Sequence, residues 1–164
     1  CALGTPCIYY GTEQGFAGHG SDNAIREAMF DTSTPGTNLL NTACRIYKEI
    51  AKIAGVTQAT PALRYGRMYF RQISGDGVHF GFPFGFSYTL AFSRILYGRE
   101  VLVAYNVAAA PRQDSVVVDA SLHQAGDTLR YLYGKTGSVP VERAPDGTKF
   151  VRLPLDSHQF VVLA

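Results

Sequence analysis

From Pro61 to the end of the chain, short runs rich in β-branched and aromatic residues recur. Glycine, aspartate and proline separate them, and no helical pattern lies between. The runs are Leu63–Ile73, Thr89–Ile95, Glu100–Val107, Ser115–Asp119, Thr128–Tyr133, Pro140–Arg143, Lys149–Pro154 and Gln159–Leu163. Sequence of this kind folds as an antiparallel sandwich or barrel. The clearest turn signal is Asp146-Gly147, which predicts a hairpin between Val139–Arg143 and Thr148–Leu153.

The first part of the chain follows a different rule. Cys7-Ile8-Tyr9-Tyr10, entered through Pro6 and stopped by Gly11, reads as a buried parallel strand. A long loop to Gly36 follows, with one helical turn expected near 24–29. Next comes a helix from Asn38 to Ala54, in which Leu39, Ala43, Ile46, Ile50 and Ile53 share a face that must lie on an apolar surface. Thr37 or Asn38 is expected to cap its start, and Gly55 to stop it in the left-handed conformation. The expected organisation is thus a strand–loop–helix segment over 1–60 and an antiparallel β-sandwich over 61–164, mainly β in class.

Composition narrows the function. Apolar residues make up 46% of the 164, which excludes a disordered chain. The net charge of +2 gives no electrostatic case for nucleic acid or an anionic membrane. No apolar run reaches the roughly 18 residues needed to span a bilayer. Three cysteines exclude a complete disulfide framework. Cys1 and Cys7 are too far apart along a strand to bridge, Cys7 with Cys44 is geometrically open, and all three fit the role of small buried hydrophobes. The opening Cys1-Ala2-Leu3-Gly4 has no Met and no leader pattern, which reads as a segment of a longer protein.

Common catalytic motifs are absent: no phosphate-cradling glycine-rich lysine motif, no H-E-x-x-H, no paired C-x-x-C and no G-x-S-x-G. His19, His79, His123 and His158 share no metal-ligand spacing. The polar side chains concentrate in the loop after the first strand, where α/β proteins place ligand contacts. There Asp22 and Arg26 stand one helical turn apart, a spacing that fits either a surface ion pair or a pair of sugar-hydroxyl contacts. The run from Val78 to Phe86 alternates large and small residues, so that Phe80, Phe82, Phe84 and Phe86 share a face if it is extended. Such a face suits hydrophobic packing or a stacking platform for sugars, and the lack of Trp weakens the second.

Gly4-Thr5-Pro6-Cys7-Ile8-Tyr9-Tyr10-Gly11-Thr12-Glu13-Gln14 resembles the last barrel strand of the α-amylase family of glycoside hydrolases. Gly18-His19-Gly20-Ser21-Asp22 and Arg26-Glu27-Ala28-Met29-Phe30 look like the segment after it, and 39–54 like the last barrel helix. Pro61-Ala62-Leu63-Arg64-Tyr65-Gly66 is similar to the junction into the family's C-terminal β-sandwich. Ala91-Phe92-Ser93-Arg94, Val101–Asn106, Val151–Leu155 and Phe160–Leu163 resemble its strands.

The resemblance implies the last strand and helix of a (β/α) barrel followed by that sandwich. It implies a parent enzyme that cleaves or transfers α-glucosidic bonds with two carboxylates. The family's catalytic carboxylates come from earlier barrel strands, and neither Asn-His-Asp nor Gly-x-Arg-x-Asp occurs here. The chain alone is therefore expected to be inactive, and Glu13 is no substitute. What carries over is substrate binding in the intact protein: Asp22 and Arg26 on a glucose unit, with His19 lining the same cleft. No cofactor is expected in this segment; the parent enzyme leaves room for calcium held elsewhere. Expected partners are the α-glucan substrate and, for the apolar faces of 1–60, the missing barrel or another copy of the chain. The alternatives are a stand-alone carbohydrate-binding β-module and a non-catalytic interaction subunit related to the family.

Overall fold

A computed structural model describes residues 1–18, 20–23, 29, 40–85 and 87–164. They divide into two units, one of residues 4–55 and one of residues 1–3 with 56–164.

In the first unit, Thr12–Gln14 forms a single 3-10 turn between two left-handed glycines, Gly11 and Gly15. Residues 7–9 form no strand, and Ile8, Tyr9 and Tyr10 are exposed. The physical reason is pairing: an extended segment becomes a strand when a neighbour takes its N–H and C=O groups, and no described segment pairs with this one. Helix α1 runs Arg45–Ala59, shifted from the expected 38–54. Asn41 Oδ1 accepts from Ala43 N at 2.9 Å just ahead of it, while Thr37 and Asn38 lie outside the described residues. Gly55 does not stop the helix. Thr60 does, because the residue before Pro61 is driven out of the helical region, here to φ −116°. No residue of α1 is buried.

Pro61–Tyr65 is a short helix, α2, overlapping the start of the strand expected from Leu63. Proline is at home in the first helical turn, where its missing N–H leaves nothing unpaired. Nine strands follow: β1 Arg67–Phe70, β2 Ile73–Ser74, β3 Thr89–Leu96, β4 Arg99–Asn106, β5 Arg112–Val117, β6 Thr128–Tyr133, β7 Ser138–Arg143, β8 Lys149–Leu155 and β9 Phe160–Leu163. All pair antiparallel in the order β1-β3-β4-β9-β6-β7-β8-β5-β2. The sheet's two edges, β1 and β2, are separated in sequence only by Arg71 and Gln72, so the sheet curls back on itself. Asp146 and Gly147 sit in the β7–β8 hairpin as expected, with Asp146 Oδ1 accepting from Thr148 N.

Strand alternation assigns the faces. Ala91, Leu102, Ala104, Val161 and Leu163 from one half meet Val116, Val141, Val151, Leu153 and Leu155 from the other in one buried core. The intervening residues Phe92, Val101, Val103 and Val162 point outward and are covered by Ala62 and Leu63 of α2. Strands β3 and β4 are thus buried on both faces, which explains their nearly unbroken apolar sequence.

Candidate functional site

The residues expected to bind substrate fall mostly outside the described structure. Asp22 lies in an exposed turn, whereas His19 and Arg26 lie outside the described residues, as does most of the 24–29 turn. The arrangement of the three therefore lies outside the described residues.

It does gather polar groups that sequence reading left scattered. Ser93 and Glu100 occupy inward-facing positions at one end of the sandwich, in the register that pairs Ser93 with Leu102. The Glu100 side chain is fully buried. Its Oε1 accepts from Arg71 Nη2 at 2.7 Å and from Ser93 Oγ, and its Oε2 accepts from the Asp119 backbone N–H at 2.9 Å. Arg71 also donates to Ser93 Oγ at 2.7 Å and to Asp119 Oδ2 at 3.4 Å. His123 Nε2 stands 2.9 Å from Glu100 Oε2, without the alignment of a directed hydrogen bond. Burial alone raises the affinity of Glu100 for a proton. The His123, Ser93, Arg71 and Asp119 contacts outweigh it and hold the carboxyl below its ordinary range.

Although it holds a serine, a histidine and a carboxylate, this cluster is wired for structure. In an acyl-transfer triad the histidine stands between nucleophile and acid; here the carboxylate stands between Ser93 and His123. The signal available in the sequence was a serine and a glutamate on inward positions of two apolar strands. Buried polar groups of that kind need partners.

The opposite end of the sandwich is closed in the same way. Arg112 grips Asp114 through Nε and Nη2 at 2.9 and 3.0 Å, and Thr89 Oγ1 donates to the same carboxylate at 2.6 Å. Arg94 is a third buried polar anchor, on the outer face. Its guanidinium donates to the carbonyl oxygens of Gly66 at 3.0 Å, Cys1 at 2.8 Å and Ala2 at 3.0 Å. Among the described residues no group of three His, Cys, Asp or Glu side chains is placed to hold a metal ion.

The Phe-rich segment forms no named strand, only a single bridge from Gly81 to Ile73, and its described phenylalanines do not pack as one face. Phe80 packs tilted against Phe150 at 5.4 Å between ring centroids, while Phe82 is 60% exposed and Phe84 93%. Gly81, Pro83 and Gly85, the last at φ +85°, break the alternation a strand needs; Phe86 lies outside the described residues. The preceding loop is bridged by Asp76, which accepts from Val78 N, His79 N and Ser74 Oγ and pairs with His79 Nδ1 at 2.7 Å. The His79 contact is the largest influence holding the Asp76 carboxyl well below its usual range, and Asp76 in turn raises His79. The three cysteines are free; Cys7 is exposed and Cys1 and Cys44 are half-buried, so none is the small core residue expected.

Alongside the outer face, next to the β3–β4 turn, lies a cleft of about 580 Å³ lined by Pro61, Leu96, Tyr97, Arg99, Val101 and Leu132 among others.

Comparison with known proteins places this fold. No protein-family model matches the chain. An α-amylase of Streptomyces lividans is 32% identical over 150 residues, which cover 83% of this chain and 15% of that protein. A cyclomaltodextrin glucanotransferase of Thermoanaerobacterium thermosulfurigenes is 31% identical over 105 residues, covering 63% of this chain and 13% of the relative. Among solved structures, the Nostoc punctiforme debranching enzyme superposes with a TM-score of 0.56 at 22% identity, covering 98% of this chain and 28% of that one. An Anoxybacillus α-amylase gives 0.57 at 24% identity, covering 95% and 28%. The chain therefore spans a small part of the length of the relatives it matches. In sequence the chain is related to the α-amylase family of glycoside hydrolases, and the solved structures share its fold over nearly the whole chain.

Proposed function

We propose that this chain is the C-terminal part of an enzyme that acts on α-glucans, carrying the end of its barrel and a β-sandwich that stabilises it. The observation that carries this reading is α1. It is a 15-residue amphipathic helix with Ile46, Ile50 and Ile53 along one side and no buried residue. Helices of this length owe most of their stability to a packed apolar face. Ile8, Tyr9 and Tyr10 are likewise exposed. The relatives are several times longer than the stretch they share with this chain, and in the proposed reading the remainder of such a protein covers these surfaces.

In that reading Asp22, Arg26 and His19 contact substrate only in the complete protein, and the catalytic carboxylates reside on the preceding barrel. The test is hydrolysis of maltoheptaose, followed by reducing-sugar release. The chain alone is expected to release none, and the longer protein containing it is expected to be active, with Asp22→Ala raising KM. An inactive longer protein, or activity from these 164 residues alone, overturns the reading.

A further inference from the structure

The β3–β4 hairpin turns through Tyr97 and Gly98 alone, both with positive φ, at 49° and 71°. A two-residue connection of this hand favours Asn, Asp or Gly at its first position. Instead it carries a tyrosine that is 96% exposed and makes no ring contact with any described residue. An aromatic side chain held in an unfavourable backbone conformation and left in water gains nothing for the fold. Outliers of this kind point toward function.

Tyr97 stands at the 580 Å³ cleft, a volume within the range of ligand sites. The cleft has an apolar side, from Pro61, Leu96, Val101 and Leu132, and a polar side, from Thr60 and Arg99. The Arg99 guanidinium makes no hydrogen bond or ion pair with any described residue. The stem of the hairpin is fixed by Glu100, whose side chain turns inward into the Arg71–Ser93–Asp119 network, so the turn is presented on a rigid support.

We propose that this cleft binds an α-glucan chain, with Tyr97 stacked on the apolar face of a glucose ring and Arg99 and Thr60 bonded to its hydroxyls. An uncharged ligand with flat C–H faces and a hydroxyl rim matches an aromatic lip, an apolar wall and two free polar groups. The choice of glucan rests on the function proposed above; the site itself rests on the turn and the cleft.

The decisive variant is Tyr97→Asn, because asparagine suits the left-handed turn and removes only the ring. The chain is run through gels containing amylose and titrated with maltoheptaose while amide chemical shifts are followed. The wild type is expected to be retarded, with shifts at 96–101, and Tyr97→Phe is expected to bind comparably. Tyr97→Asn is expected to bind about tenfold more weakly while melting at the same or a higher temperature. An unretarded wild-type chain with native near-ultraviolet dichroism, or a Tyr97→Asn chain that binds as the wild type does, overturns the proposal. A longer protein that hydrolyses maltoheptaose but binds no amylose at Tyr97 refutes the cleft alone. Amylose binding at Tyr97 in a protein that hydrolyses nothing refutes the parent activity and leaves the cleft standing.

Discussion

Glu100 is the side chain on which the inner end of the sandwich depends. It is fully buried and its oxygens satisfy Arg71, Ser93 and the Asp119 N–H together. Removing one partner of such a pair leaves a buried charge uncompensated, so Glu100→Gln should cost about 3–5 kcal/mol in urea unfolding. The pH dependence has a definite sign. The folded carboxyl holds its proton more weakly than the unfolded one, whose ordinary value is 4.5. Its stabilisation is therefore fully present above that value and is lost as pH falls through the lower, folded one. Melting temperatures of the wild type should drop on acidification below about pH 4.5, and the drop should be smaller in Glu100→Gln. Equal slopes in the two proteins would show that folding leaves the proton affinity of Glu100 unchanged.

Two glycines test the elements from opposite directions. Gly55 lies inside α1, and a Cβ there meets nothing within 4 Å. Gly55→Ala should therefore stabilise the helix by about 0.5–1 kcal/mol, read as slower amide exchange over 50–58. Gly134 follows the irregular β6–β9 pairing at φ +89°, and a Cβ there falls 2.2 Å from Phe160 O and 2.9 Å from Val161 Cγ1. Gly134→Ala should cost about 1–3 kcal/mol and lower the melting temperature.

Elements that carry their own signal were legible in the sequence. Thr128–Tyr133 forms a strand over the expected residues, and the Asp-Gly hairpin forms where turn chemistry places it. Misreadings arose where a neighbour decides the outcome. Gly55 looks like a stop, but Pro61 sets the end of the helix. Cys7–Tyr10 has strand composition but belongs to no strand of the described sheet. Ser93, Glu100 and His123 are distant in sequence, and only the β3–β4 register and the loop after β5 bring them together. Asp22 is placed in an exposed turn, and the Asp22–Arg26 pair rests on spacing and family resemblance.

For the molecule as a whole, the division into two units predicts separable stability. The sandwich has its own core, closed at one end by Glu100 and at the other by Asp114, and every strand belongs to it. A chain shortened to 56–164 should therefore unfold in urea as one cooperative transition with native near-ultraviolet dichroism. What it loses is specific. Arg94 no longer donates to the carbonyls of Cys1 and Ala2, and Cys1 no longer packs on the outer cluster, whereas the bond to Gly66 O remains. At about 1 kcal/mol net per hydrogen bond, the shortened chain should be roughly 1–3 kcal/mol less stable than the sandwich transition of the full chain. Arg94→Ala should narrow that difference, because it removes the donor from both. If the shortened chain binds hydrophobic dye and shows no cooperative transition, residues before 56 supply part of the core itself, and the sandwich is not an independent folding unit.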